Sequence, residues 1–379
     1  MKLKADNLYC FDDFELDFSY PKKIVKSTIE YEYLEERPNF RFKRVNIIFG
    51  ANASGKTSMG RLMRDIAGFI AGFPAPFGLG DKIADKAKTA SCEFCFVFRL
   101  TLYRFYFTIN DKTTLSAGLE ATEIKNNDSF ENAFSKLTEI AHFDSDDTFE
   151  TKVNESARII ASLDAIRTCF SYHLYLSNLY EESQYALQAS PDRNHLSETM
   201  DIVLRTFDQS ILRVKKLEEA QESSYIEFKN GDKVLIQDGK VVNPSRLSSG
   251  TLEAIKIAHC VERIRSQTSA VFYIDEIFSR TQSDLEIAIL SVMIELLGKQ
   301  SQLFYTTHNT NILEMNLPMH AFLFLRKKNK VEAIDPGRVI KKNDRNLKIA
   351  VENDVLRTIP NTDLLDRLFE VTDEEKENL

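Results

Sequence analysis

Residues 50–57 read Gly-Ala-Asn-Ala-Ser-Gly-Lys-Thr, and this stretch limits the possible folds more than anything else in the chain. It fits G-x-x-x-x-G-K-[ST] with nothing missing. Ahead of it, Phe40 to Phe49 runs into an apolar segment that predicts a strand, and after it Ser58 to Ile70 carries apolar residues at helical spacing. Glycines let the backbone curl and aim several N–H groups at phosphate oxygens, and the following helix adds its positive end. Gly50, Ala51, Asn52, Ala53, Ser54, Gly55, Lys56, Thr57 and Ser58 are therefore the candidate nucleotide cradle. Lys56 would reach the β- and γ-phosphates. The Thr57 hydroxyl would ligate Mg²⁺, which prefers hard oxygen ligands. ATP and Mg²⁺ are the expected ligands, although the motif alone does not say which branch of phosphate-binding folds is present.

Two later segments carry matching chemistry. Val271 to Glu276 reads V-F-Y-I-D-E, an apolar strand ending in adjacent carboxylates. Asp275 would hold the Mg²⁺ shell, mostly through water, and Glu276 would orient or deprotonate an attacking water. Farther on, F-Y-T-T-H-N-T places His308 just past another apolar strand. In a parallel sheet that is the carboxyl edge, beside the phosphate loop, where a histidine can hydrogen-bond a γ-phosphate. His142, His173, His195, His259 and His320 have no comparable setting.

Residues 246–251, R-L-S-S-G-T, precede a helix that the pattern starts at Leu252. Small residues ahead of a helix N-terminus make a second anion site. One nucleotide does not need two such sites in one chain. A head-to-tail pair resolves this, with Ser248, Ser249 and Gly250 of one copy closing over ATP held by Lys56 of another. A plain serine N-cap is the other reading.

The 379 residues allow one large domain or two ordinary ones, with 43% hydrophobic and 28% charged residues in globular proportion. A net charge of −8 argues against a generic nucleic-acid coat. Five cysteines form an odd, sparse set that suits reduced thiols in a cytosolic protein. Cys92 and Cys95 form a C-x-x-C on a predicted buried strand, Ala90 to Leu100, where positions three apart face opposite ways, and no second pair completes a zinc site. The N-terminus has no apolar signal region and no uninterrupted apolar run reaches membrane-spanning length, so a cytoplasmic, membrane-free protein is expected.

The pattern divides the chain into four parts. Residues 1–110 hold strands and the phosphate loop. Residues 111–223 read as a polar, mostly helical insertion, with helices over Phe130 to His142, Thr151 to Leu163 and Asp201 to Ser223. Residues 224–335 return to sheet, with hairpin turns at Asn230-Gly231 and Asp238-Gly239 and then βα alternation that implies a parallel sheet. Residues 336–379 read as a helical extension. The acidic run His142 to Asp147 and the basic run Arg326 to Lys330, continued by Arg338, Lys341, Lys342 and Arg345, read as a solvated loop and a solvated hairpin turn.

In this order, G-A-N-A-S-G-K-T, L-S-S-G-T, Y-I-D-E and T-T-H-N-T resemble the ABC-type ATPases of the RecF/SMC/OLD group. The opening N-L-Y-C-F-D-D-F-E-L is similar to that group's first hairpin. Within the group the chain resembles the OLD-like ATPases of bacterial anti-phage defence systems, such as Septu- and PARIS-type ATPase subunits. The resemblance covers about 1–110 and 225–360. It implies an α/β P-loop fold with an antiparallel β subdomain beside a parallel core. It also implies phosphate binding by Lys56, Mg²⁺ binding by Thr57 and Asp275, catalysis by Glu276, γ-phosphate sensing by His308, and a trans contact from Ser249 and Gly250. The expected partners are a second copy of the chain and a separately encoded effector, a nuclease or toxin. Direct action on DNA in the RecF/SMC manner is the alternative. The chain departs from the group in carrying I-F-S-R-T-Q-S-D-L after Glu276 rather than Leu-His-Pro. Gln184 and Gln188 are only loose matches for its Mg²⁺-sensing glutamine. No room for the group's Toprim nuclease domain is expected after residue 379.

Overall fold

The structure, a computed structural model, describes residues 2–24, 27–70, 77–167, 171–176, 193–217, 223–237, 240–340, 347–358 and 365. In chain order the elements are β1 (Lys2–Asp6), β2 (Phe14–Asp17), β3 (Tyr33–Leu34), β4 (Arg37–Arg41), β5 (Val45–Phe49), α1 (Lys56–Ile70), β6 (Ala90–Phe98), β7 (Thr101–Ile109), β8 (Thr114–Glu123), α2 (Phe130–Phe134), β9 (Thr138–Phe143), α3 (Phe149–Arg167) and β10 (Tyr172–Leu176). There follow α4 (Arg193–Phe207), β11 (Ile211–Lys216), β12 (Ser223–Phe228), β13 (Lys233–Gln237), β14 (Lys240–Val241), α5 (Ser249–Ser266), β15 (Val271–Asp275), α6 (Ser283–Leu296), β16 (Gln302–Thr306), β17 (Phe322–Lys327), β18 (Val331–Ile334), α7 (Pro336–Val339) and α8 (Leu347–Glu352).

The central sheet runs β10-β15-β16-β5-β17-β18, parallel throughout except for the edge strand β18. Its strands are covered on both faces, which is why β5 is buried at every position. Strand alternation sorts their side chains into two cores. Ile48, Tyr273 and Phe304 face one side and pack with α1 and the antiparallel sheet β2-β1-β6-β7-β8-β9. Ile47, Phe272, Ile274, Leu303 and Tyr305 face the other, with α5, α6 and the small sheet β11-β12-β13-β14. This is the expected α/β layout of an antiparallel subdomain beside a parallel core. Helix α1 lies so close to β15 that a Cβ on Gly60 would stand 2.6 Å from the Tyr273 ring.

Residues 111–223 depart from the helical reading. Asn110 accepts hydrogen bonds from the backbone N–H groups of Lys112 and Thr113, and this turn folds β8 back onto β7. The predicted helix over Phe130 to His142 is a short α2 followed by β9. Strand β10 joins the parallel sheet beside β15. The stripe read as one helix from Asp201 to Ser223 is α4 up to Phe207 and then β11. A bulge between Ile211 and Arg213 resets the alternation, so Ile211 and Val214, three apart, both face inward and imitate helical spacing. The apolar run Phe40 to Phe49 is likewise two strands, β4 and β5, separated at Phe42 to Arg44. Within the extension 336–379, α7 and α8 are described; Asp238-Gly239, Gln184, Gln188, Lys341, Lys342 and Arg345 lie outside the described residues. Among the described residues no helix is long and apolar enough to cross a membrane.

His173 on β10 is buried, stacks on Phe272 with ring centroids 5.1 Å apart, and has no hydrogen-bond partner for Nε2. Burial, helped by the nearby charge of Arg263, lowers its pKa from 6.5 to about 4. Between those values the unfolded chain binds a proton that the folded chain refuses, so stability falls as pH drops from about 6.5 towards about 4 and is level above. Replacing His173 with Phe should reduce the difference in urea midpoint between pH 5 and pH 7; an unchanged difference would rule out His173 as its source.

Candidate active site

The loop after β5 curls because Ala53 and Gly55 take positive φ values of 61° and 104°. Glycine suits the second position, where a Cβ would meet Cys10 Sγ at 3.2 Å and Phe11 at 3.3 Å. Gly50 has a different reason: its Cβ would stand 2.6 Å from the Leu325 carbonyl and 2.4 Å from Ser54 Oγ. The buried Lys56 ammonium donates to the carbonyls of Gly50 (2.6 Å) and Ala51 (3.1 Å), so the loop folds around its own cation. Tyr273 donates its hydroxyl to the Lys56 carbonyl at 2.5 Å, fixing the start of α1 against β15. Ser54 Oγ is buried with no hydrogen-bond partner. Asn52 and Ala53 are exposed at the tip, and Ser58 is half-buried on the first turn of α1.

Strands β15 and β16 bring the other groups to the same edge. Thr57 donates to Asp275 Oδ2 at 2.6 Å, and Thr306 donates to Asp275 Oδ1 at 2.7 Å. Burial raises the Asp275 pKa, against the pull of those two hydroxyls. Glu276 follows with φ of 52°, an uncommon conformation for a non-glycine residue. Its Oε1 lies 2.7 Å from His308 Nε2 and 3.2 Å from Lys56 Nζ. The His308 hydrogen bond, with the Lys56 charge, lowers the Glu276 pKa to about 2. Adjacent carboxylates thus shift in opposite directions, one desolvated and the other held by the His308 hydrogen bond and the Lys56 charge. The Asp275 carboxylate and the Thr57 hydroxyl form a hard-oxygen pair that fits Mg²⁺. Among the described residues no group of three or more His, Cys, Asp or Glu is placed to hold a metal ion, and a Mg²⁺ site of this kind draws its remaining ligands from water and phosphate.

Ser248, Ser249 and Gly250 stand elsewhere. Ser248 caps α5, accepting from the Thr251 backbone N–H at 3.1 Å and pairing with the Thr251 hydroxyl at 2.7 Å. Among the described residues no hydrogen bond or ion pair joins these three to the phosphate loop. Ser248 and Ser249 are exposed, and a Cβ on Gly250 would meet only Ser248 Oγ, at 3.8 Å. Within one chain this segment acts as a helix cap.

Sequence reasoning missed Thr306, Tyr273 and Glu253. The doubled threonine before His308 was a visible hint of the first. Glu253, one turn into α5, accepts from the backbone N–H of Arg280 (3.3 Å) and the hydroxyl of Thr281 (2.6 Å), tying the helix after Ser248 to the loop after Glu276. Cys92 and Cys95 are buried in different clusters, and burial raises the Cys95 thiol to about 12. In the acidic run, His142 pairs with Asp144 at 3.0 Å. The basic hairpin is partly neutralised, with Arg326 on Glu332 and Lys330 on Asp13.

Thr57→Val keeps the side-chain shape and removes the donor to Asp275. It should cost about 1–3 kcal/mol of nucleotide-free stability in urea unfolding, as expected when a buried acceptor loses its partner, while Thr57→Ser should stay near wild type. Equal stability of the Val and Ser variants would remove this bond from the account.

Residues 45–314 match the family described as "AAA domain, putative AbiEii toxin, Type IV TA system". Similar solved structures include an Smc head bound to the C-terminal winged-helix domain of ScpA, at 14% identity and TM-score 0.47, covering 89% of this chain and 99% of that one. An Smc head with an extended coiled coil, bound to the C-terminal domain of ScpA derived from Pyrococcus furiosus, aligns at 11% identity and TM-score 0.43, covering 93% and 98%. The recombination mediator RecF aligns at 10% identity and TM-score 0.41, covering 88% and 97%. No curated protein matches. The family match spans both the phosphate loop and the carboxylate–histidine edge, and the chain belongs to this AAA-domain family of putative AbiEii-type toxins.

Proposed function

We propose that the chain is a Mg²⁺-dependent ATPase that works as a head-to-tail pair and controls a separately encoded effector. The observation that carries this reading is the convergence of Lys56, Thr57, Asp275, Glu276 and His308 within hydrogen-bond or ion-pair reach at one sheet edge. Arriving phosphates would draw Lys56 from the Gly50 and Ala51 carbonyls and from Glu276. Losing that cation raises the basicity of Glu276, which sits low while Lys56 and His308 hold it. Glu276 would then orient the attacking water, and His308 would hydrogen-bond the γ-phosphate. Thr57 and Asp275 would hold Mg²⁺, which when bound would supply charge neutralisation for the phosphates. The orphaned Ser54 hydroxyl at the base of the loop is a further group that could serve the nucleotide.

Pairing rests on Ser248 to Gly250. The exposure of Ser248 and Ser249 and the open space at Gly250 support a close approach by a second copy carrying ATP. Glu253 would connect that contact to the loop after Glu276. The family's description as a putative toxin of a Type IV toxin–antitoxin system supports a place in a defence or growth-control system. An ATP-driven shift between open and paired heads would gate the effector, a nuclease or toxin, in an anti-phage role.

The test is the solution mass of wild type and Glu276→Gln, each with and without ATP and Mg²⁺, alongside phosphate release. Glu276→Gln should bind ATP, release at least about 100-fold less phosphate, and form a larger, longer-lived assembly than wild type. A monomer under every condition would leave Ser248 as a helix cap only and overturn the pairing.

A further inference from the structure

The His308 ring is weakly held by its own surroundings. Its side chain is 44% exposed, and its polar contact is the Nε2 to Glu276 bond. The backbone of the loop after β16 must therefore set where the ring stands. Along this segment side chains alternate between two faces. Thr306 turns toward Asp275. Tyr305 and Thr307 turn the other way and donate to one oxygen of Glu286, Oε1, at 2.6 and 2.9 Å. The other oxygen, Oε2, accepts from Asn309 Nδ2 at 2.8 Å. Two of these three donors are the immediate neighbours of His308 in the chain.

Glu286 is 4% exposed and lies in the first turn of α6, where the helix dipole favours an anion. A buried carboxylate is a costly way to fill space. Here it is the acceptor-only group that satisfies two hydroxyls and an amide at once. Ser283, three residues earlier on α6, strengthens the clamp: it bonds both amide atoms of Asn309 and accepts from Asn311 Nδ2 at 2.9 Å.

We propose that Glu286 is a positioning residue for His308, gripping the loop on both sides of the histidine so that its ring meets the γ-phosphate and Glu276. This rests on the hydrolytic role of His308 proposed above. Replacing Glu286 with Gln keeps the shape but turns an amide donor toward donors, releasing the loop.

A double-mutant cycle on ATP turnover tests it, using wild type, Glu286→Gln, His308→Ala and the double variant. Glu286→Gln should lower kcat about tenfold with little change in KM, and should cost nothing further once His308 is Ala. If it costs the same factor in both backgrounds, Glu286 serves the fold alone and the inference falls while the ATPase reading stands. If His308→Ala turns over as wild type does, or wild type releases no phosphate, the role of His308 falls and takes the inference with it. Should urea unfolding show Glu286→Gln to be unfolded, Asn309→Ala replaces it in the same cycle, since it removes one flanking donor and leaves the carboxylate in place.

Discussion

The site depends on the register of three neighbouring parallel strands. Asp275 on β15 stands opposite Thr306 on β16, and Thr306 stands opposite Ile48 on β5. All three strands run the same way, so their ends share one edge, and each hands its next residues to the site: Gly50 to Thr57, Glu276, and Thr307 with His308. A slip of one residue between β15 and β16 would turn Thr306 away from Asp275, and one between β16 and β5 would shift the phosphate loop relative to both. The apolar alternation above and below the sheet prevents that slip, because it would expose Phe272 and Leu303 to the wrong core. Core packing and site chemistry are thus enforced by the same register.

Charge balance at that edge explains how a buried lysine and two adjacent carboxylates coexist without nucleotide. Lys56 is neutralised by loop carbonyls and by Glu276, while Asp275 is carried by two hydroxyls rather than by a cation. The arrangement is closed on itself. A polyphosphate entering it would compete for the same cation, so on the proposed function binding and rearrangement of Glu276 would be one event rather than two.

Much of this was legible in the sequence, because local rules governed it. The phosphate loop announces itself through glycine spacing, and Asp275, Glu276 and His308 through their places at the ends of apolar strands. What escaped depended on tertiary partners. Strands β8 to β10 lack clean alternation: β8 lies inside its sheet, while β9 and β10 are short edge strands placed by a single neighbour each, and the bulge in β11 produced a helix-like spacing of Ile211 and Val214. Glu253 and Glu286 look like ordinary helix-surface acids until the loops that they hold are in place. The role of Ser248 stays divided between cap and contact because one chain can display only the cap.

The backbone at Glu276 carries a further consequence. A left-handed conformation suits asparagine and aspartate better than glutamate, so the chain keeps a residue there that its own geometry disfavours. Asparagine at 276 would relax the backbone while removing the carboxylate that pairs with Lys56 and His308. On the role proposed for Glu276, stability and turnover are therefore opposed at a single position. Selection for heat tolerance alone would then drift toward a chain that still folds and retains its phosphate loop without that carboxylate, a path from the proposed enzyme to a nucleotide-responsive scaffold.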